Sequence, residues 1–334
     1  MKNTLAGTGS RRPEPASPPR LNRLAGHLRR RFGRALRKVP LDAGFSCPNR
    51  DGTLSRSGCA FCNPRGSGTG LFAQGLTLAQ QWERLRGLSS KKDPGLALAY
   101  LQAFSNTHGP LERLARVLDE IAALPGAAGL CIGARPDCLD HPKLELLAAF
   151  RERLRGPDLP EPELWLELGL QSSHDATLAR VNRGHDAACF ADAARAAAHL
   201  GIPVCAHLIL GLPGEGLPHF LQTVDFVNAL PLAGVKLHNL YVAEGAALAA
   251  LWRSGQLPLL SREEFLEWLC AALPRLRPDL VIHRLVADPA PGELLAPDWA
   301  RDKHTTLDML ARMIEEQDIR QGRQFACPGP GPAR

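Results

Sequence analysis

The chain has 334 residues, a formal net charge of +6, 45% hydrophobic and 22% charged residues, a globular composition with room for one large domain or two modest ones. No apolar run approaches the ~20 residues of a membrane span, and the N-terminus lacks an apolar signal core, so membrane association and secretion are not expected and cytoplasm is the default. Nine cysteines, three of them clustered, suit a reducing compartment better than a disulfide framework.

The basicity is local. Residues 1–38 hold eleven Lys and Arg against the single acid Glu14, so this arm carries +10 and the remaining chain −4. Residues 1–30 read as a basic, largely disordered arm able to meet a polyanion such as RNA. A weak strand at 38–42 leads into a stretch, 43–76, without periodicity. A loop that long inside a compact domain is usually functional. Thr77 and Gln80 form a capping-box pattern opening a helix to about Gly87. Strands are then expected at 96–104, 129–133, 164–170, 204–210 and 234–240. Apolar spacing predicts helices at 111–122, 144–154, 187–200 and 217–229. Strands alternating with helices imply a parallel sheet, and periodicity allows either an open doubly wound sheet or a partial barrel. Beyond 245 the rhythm changes: Ser261 and Glu264 cap another helix, 280–285 suits a strand, and 305–317 suits a helix. Residues 323–334 read as a disordered tail.

The loop holds the strongest chemical signal. Cys47, Cys59 and Cys62 are spaced C-x11-C-x2-C among glycines. Thiolates are soft ligands suited to iron–sulfur clusters or zinc. Structural zinc wants four protein ligands, and three cysteines leave one corner open for chemistry. Cys131, Cys138, Cys189, Cys205, Cys270 and Cys327 are dispersed and are not expected to be ligands. Two other readings remain: a zinc-binding Cys3His protein or hydrolase completed by a histidine such as His108, and a non-catalytic RNA-binding protein working through the arm.

Several separated words sharpen the picture. Cys47-Pro-Asn-Arg-Asp-Gly-Thr53 precedes Cys59-Ala-Phe-Cys62. Further along stand Arg135-Pro-Asp137, Glu167-Leu-Gly-Leu-Gln-Ser172, Asn182-Arg-Gly-His185 and His207-Leu-Ile-Leu-Gly-Leu-Pro-Gly214. Together they resemble the radical SAM superfamily, in its YhcC-like branch, a relative of the elongator catalytic subunit, over about residues 31–322. The resemblance implies an α/β fold: a (β/α)6 partial TIM-type barrel at 31–245 with a C-terminal α/β extension at 246–322. It implies that Arg31-Phe32-Gly33 packs on the body. It further implies a [4Fe–4S] cluster on Cys47, Cys59 and Cys62, with S-adenosylmethionine on the fourth iron. Reductive cleavage would give a 5′-deoxyadenosyl radical that takes hydrogen from an unidentified small-molecule, protein or RNA substrate, and an electron donor is required.

The same resemblance nominates cofactor contacts. Asn106 and Thr107 stand where the superfamily carries Gly-Gly-Glu, a word this chain lacks. Arg135 and Arg183 offer guanidinium forks. Glu167 and Gln171, four apart on a strand, share one face. His207 replaces a usual glycine of the adenine-contact word, and Gly211 lets backbone approach a flat ring. Lys236, His238, Tyr241, Glu244, His283 and Arg284 are expected on the substrate side.

Overall fold

The computed structural model describes residues 19–326, apart from 65, 67, 88–94, 157, 158 and 160. In chain order it contains α1 (Leu24–Phe32), β1 (Lys38–Leu41), α2 (Leu78–Gly87), β2 (Ala97–Leu101), α3 (Leu111–Ala122), β3 (Ala127–Ala134) and α4 (His141–Arg153). Then come β4 (Glu163–Gln171), α5 (Asp175–Arg180), α6 (Ala187–His199), β5 (Val204–Leu210), α7 (Leu217–Asn228) and β6 (Gly234–Asn239). The last part adds β7 (Val242–Ala243), α8 (Leu248–Arg253), α9 (Arg262–Ala272), β8 (Val281–Arg284), β9 (Leu294–Ala296) and α10 (Lys303–Glu316).

Seven strands form one sheet in the order β1-β2-β3-β4-β5-β6-β8, with every neighbouring pair parallel. The expected six strands are present, and the strand anticipated at 280–285 joins them as β8. The segment beyond 245 therefore completes the core sheet as well as flanking it. A short antiparallel pair, β7 with β9, lies apart.

Alternation along β4 explains how the sheet is covered. Leu164, Leu166, Leu168 and Leu170 belong to the large core packed under the helices, whereas Trp165 belongs to a second cluster inside the curl. Trp165, Glu167 and Gly169 therefore face the lumen. The sheet curls far enough for its unpaired edges to communicate: Lys38 Nζ on β1 lies 3.2 Å from His283 Nδ1 on β8. This is a partial barrel, open between β1 and β8.

Helix α1 closes the N-terminal end of the lumen. Leu24 and Leu28 pack with Leu98, Cys131, Trp165, Cys205 and Val281, and Arg23 bridges to Ile282 beside β8. Residues 24–30, assigned from sequence to the disordered arm, are thus helical and packed, with Leu24 and Leu28 buried and Arg29 and Arg30 exposed. Residues 1–18 and 327–334 lie outside the described residues. The start of the expected disordered tail is also tied down, with Gln324 N–H donating to Pro274 O at 2.9 Å.

Candidate cluster and cofactor site

The cysteine loop leaves the C-terminal end of β1, the end at which parallel α/β barrels place their sites. Its described residues form no helix or strand, and side-chain hydrogen bonds hold its shape. Asn49 Nδ2 donates to Asn182 O at 2.6 Å and Arg183 O at 3.1 Å. Asn182 Nδ2 returns a bond to Gly58 O at 2.7 Å. Arg50 Nη2 donates to Cys62 O at 3.1 Å and Asn63 O at 2.6 Å. Asn63 Nδ2 reaches Glu293 Oε2 at 2.5 Å, tying the loop to the C-terminal segment. The Asn182-Arg-Gly-His word thus acts chiefly as the buttress of the cysteine loop.

Cys47, Cys59 and Cys62 line one cavity of about 140 Å³. Cys47 and Cys59 are buried and Cys62 is half-buried. Around Cys59 Sγ stand three donors: Asn49 Nδ2 and Arg183 Nη1, each at 3.6 Å, and Arg135 Nη1 at 4.0 Å. Burial raises the Cys47 thiol and pushes Cys62 up to about 11, the latter also by proximity to Cys59; a bound cation would reverse that cost. Among the described residues, no three His, Cys, Asp or Glu side chains gather tightly enough for a single metal ion. A mononuclear zinc needs its sulfurs within about 2.3 Å of one point, while an iron–sulfur cluster distributes them over separate irons. His108, the zinc reading's fourth ligand, is instead bonded to Asp51 Oδ2 at 2.6 Å.

The ends of the neighbouring strands complete the cavity. Gln102, Arg135, Glu167, Gln171, Arg183 and His207 all border it, so five of the eight nominated cofactor residues converge there with the thiols. Arg135 is already forked onto Asp137, with Nε–Oδ1 at 2.8 Å and Nη2–Oδ2 at 2.7 Å; only its third nitrogen turns toward Cys59. Arg183 Nη2 donates to Gly169 O at 2.6 Å. A bulge between Gly169 and Gln171 interrupts the pairing of β4 with β5. The strict two-residue alternation fails there, yet Gln171, with φ of 77°, still reaches the cavity. A Cβ on Gly169 would stand 2.5 Å from Arg183 Nη2 and 2.6 Å from Gln171 Nε2, so a larger residue would displace the ends of both side chains along this wall.

The other three nominated residues lie elsewhere. Strand β2 ends at Leu101, and Gln102 and Phe104 take the cavity positions. Asn106 turns back onto β3, its N–H and Nδ2 both donating to Gly133 O, at 3.0 and 2.9 Å. Asn106 Oδ1 and Thr107 Oγ1 are buried without a partner among the described residues. Gly211 (φ 83°) is approached by Leu260, which a Cβ there would meet at 3.0 Å. That glycine accommodates its own chain.

Glu167 is not a free carboxylate. Lys38 Nζ lies 2.5 Å from Oε1, Lys236 Nζ donates to Oε2, and His207 Nε2 lies 3.1 Å from Oε2. His283 Nδ1 approaches Oε1 at 3.5 Å, and Lys236 Nζ also bonds Tyr100 Oη at 2.9 Å. Burial alone would raise the Glu167 carboxyl, but Lys236 and Lys38 outweigh it and hold it well below the usual range. Burial and Lys236 lower His207 to about 4, and burial with Lys38 lowers His283 to about 3. Both imidazoles are therefore neutral at pH 7. This layer crosses the lumen beneath the cavity. Lys38 was missed from sequence because a lysine opening a short strand carries no motif.

A larger cavity, of about 420 Å³, adjoins the first and shares Phe61, Cys62, Tyr100, Gln102, Gln171 and His207 with it. His238, Tyr241 and Arg284, three of the groups expected on the substrate side, stand in its wall. Glu244 instead pairs with exposed Arg253 at 3.0 Å. Of the six cysteines not expected as ligands, Cys131 and Cys205 are buried in the lumen cluster, and Cys327 lies outside the described residues.

Comparison with known proteins agrees with this architecture. The pattern of the Radical SAM superfamily matches residues 55–227, and that of the Radical_SAM C-terminal domain matches residues 232–316. Protein YhcC of Escherichia coli K12 is 36% identical over 308 residues, 92% of this chain and 96% of that protein. YtqA of Bacillus subtilis is 35% identical over 309 residues, 92% of this chain and 93% of the relative. Among solved structures, the archaeal Methanocaldococcus infernus Elp3 with an N-terminal deletion superposes with a TM-score of 0.62 at 16% identity. That match covers 86% of this chain and 64% of the other, and it speaks for the fold alone.

Proposed function

This chain belongs to the radical SAM superfamily, and from that premise we propose that Cys47, Cys59 and Cys62 hold its [4Fe–4S] cluster, with S-adenosylmethionine bound against the neighbouring strand ends. One observation carries the reading: three thiols from one loop open onto a single cavity bordered by Gln102, Arg135, Glu167, Gln171, Arg183 and His207. When bound, that cofactor pair supplies a one-electron cleavage of the sulfonium, yielding a radical able to take a hydrogen atom from a substrate.

The chain's own residues position, shield and hold charge. Arg183 and Asn49 donate to the Cys59 sulfur, and hydrogen bonds to cluster sulfur tune its potential. Phe61, between two of the thiols, and Phe104, with Arg50 over its ring at 5.8 Å, border the cavity and limit water there. Gln171 and the outer nitrogens of Arg183 and Arg135 offer donors for a carboxylate or a ribose. Glu167 orients this wall indirectly: through His207 and the two lysines it fixes the lumen side chains on which the cofactor pocket rests.

The test is anaerobic reconstitution followed by reduction in the presence of S-adenosylmethionine. The expected result is about four irons and four sulfides per chain, with methionine and 5′-deoxyadenosine released together. A chain that binds zinc without sulfide, or holds a complete cluster yet never cleaves S-adenosylmethionine, would refute the reading.

A further inference from the structure

The lumen beside the 420 Å³ cavity carries positive charge that the described residues do not balance. Two lysines, Lys38 and Lys236, serve the single carboxylate of Glu167, leaving that layer one positive charge in excess. The histidines do not alter the count, since His207 and His283 are neutral, and burial followed by the charge of Arg284 keeps His238 neutral as well. Arg284 adds a second excess charge. It is half-buried and borders the cavity. Among the described residues it has no carboxylate within ion-pair distance and no hydrogen bond. Asp288, the carboxylate in the same wall, is engaged by Lys303 Nζ at 2.7 Å.

Two further features make this a built site. The pairing of β6 with β8 shifts register between Val235 and Lys236, placing Lys236 opposite Arg284. Consecutive residues then both serve the lumen: His283 contacts Glu167 while Arg284 borders the cavity. Beside Arg284, on β6, His238 Nε2 is buried without a partner among the described residues. A half-buried cation without a counter-charge and a buried imidazole nitrogen without a partner both carry a cost, and one anionic group, facing Arg284 and accepting from the Nε2–H tautomer of His238, satisfies both. The cavity's volume falls within the range of small-molecule sites.

We propose that this cavity binds a small-molecule substrate through an anionic group, a carboxylate or a phosphate, seated on the Arg284 guanidinium with His238 Nε2 as its second polar contact. This rests on the preceding section only for the word substrate; the anion site itself stands on the lumen's charge and geometry. Lys38 and Lys236 contribute field rather than contact, because Glu167 already holds them.

The full-length reconstituted protein, with S-adenosylmethionine present, is titrated calorimetrically at constant ionic strength with inorganic phosphate, succinate and the neutral control succinamide. At least one anion should bind saturably and succinamide should not, and the preferred anion identifies the group. Arg284→Gln should weaken that binding roughly ten- to a hundredfold, the loss expected for a charge-assisted hydrogen bond, and Arg284→Lys should recover part of it. Iron, sulfide and S-adenosylmethionine affinity are measured in the same preparations and should be unchanged in both variants. Four outcomes overturn the proposal: no anion saturates the wild type; the variants bind the anion as the wild type does; Arg284→Gln weakens S-adenosylmethionine instead; or only an RNA oligonucleotide binds through Arg284. Failure of the cluster reading would appear separately, as missing sulfide or missing S-adenosylmethionine binding in the wild type.

Discussion

The cysteine loop and the charged layer around Glu167 face the same cavity and are built on opposite principles. The loop is irregular backbone whose shape depends on side-chain hydrogen bonds, notably its own Asn49 onto residues 182 and 183 and its own Arg50 across the loop onto residues 62 and 63. The Glu167 layer sits on strands, and its geometry follows from sheet register: Lys38, Tyr100, Glu167, His207, Lys236 and His283 come from β1, β2, β4, β5, β6 and β8. Damage to the loop should therefore be local, and damage to the layer should be global.

The largest stability effect is expected in the layer. Glu167→Ala would strand Lys38 and Lys236 with no counter-charge, and breaking a buried pair from one side costs about 3–5 kcal/mol. Chemical denaturation should report that loss as a lower midpoint with an unchanged slope, and adding Lys236→Met should recover part of it. A loss below about 1 kcal/mol would mean that the layer is wetter and looser than its geometry indicates. In the loop, Asn49→Ala removes the bonds to residues 182 and 183 and the donor to Cys59. Its cost, about 1–3 kcal/mol from unsatisfied buried carbonyls, should fall on the loop rather than on the sheet. Iron release to a chelator should quicken several-fold while the denaturation midpoint moves much less. A midpoint shift as large as that of Glu167→Ala would erase the distinction between the two regions.

The same contrast governs what could be read from the chain. Local chemistry was legible: the three thiols lie within sixteen consecutive positions, and the capping boxes at Thr77 and Ser261 form as their spacing suggests. The alternating rhythm and the family words led to the parallel partial barrel. What escaped was nonlocal. Lys38 and Lys236 meet Glu167 only once β1 and β6 curl around the same lumen, and no spacing in the sequence records that. Asn106 and Thr107 do not border the cavity, because β2 ends at Leu101, short of the apolar run 96–104, and Gln102 and Phe104 take the bordering positions. Gly211 resembled a ligand-facing glycine, and Leu260, arriving from fifty residues downstream, takes the space. Helix α1 was hidden because nine residues rich in arginine showed only two buried leucines.

The central claim is that Cys47, Cys59 and Cys62 together hold the cluster. The most direct test is the low-temperature EPR spectrum of the reduced, reconstituted protein, recorded with iron and sulfide content for the wild type and for the Cys47→Ala/Cys59→Ala/Cys62→Ala variant. Circular dichroism would show that the variant remains folded. The account predicts a [4Fe–4S]+ signal in the wild type that S-adenosylmethionine perturbs, and no such signal in the folded variant. A folded triple variant with wild-type iron, sulfide and EPR intensity would contradict it.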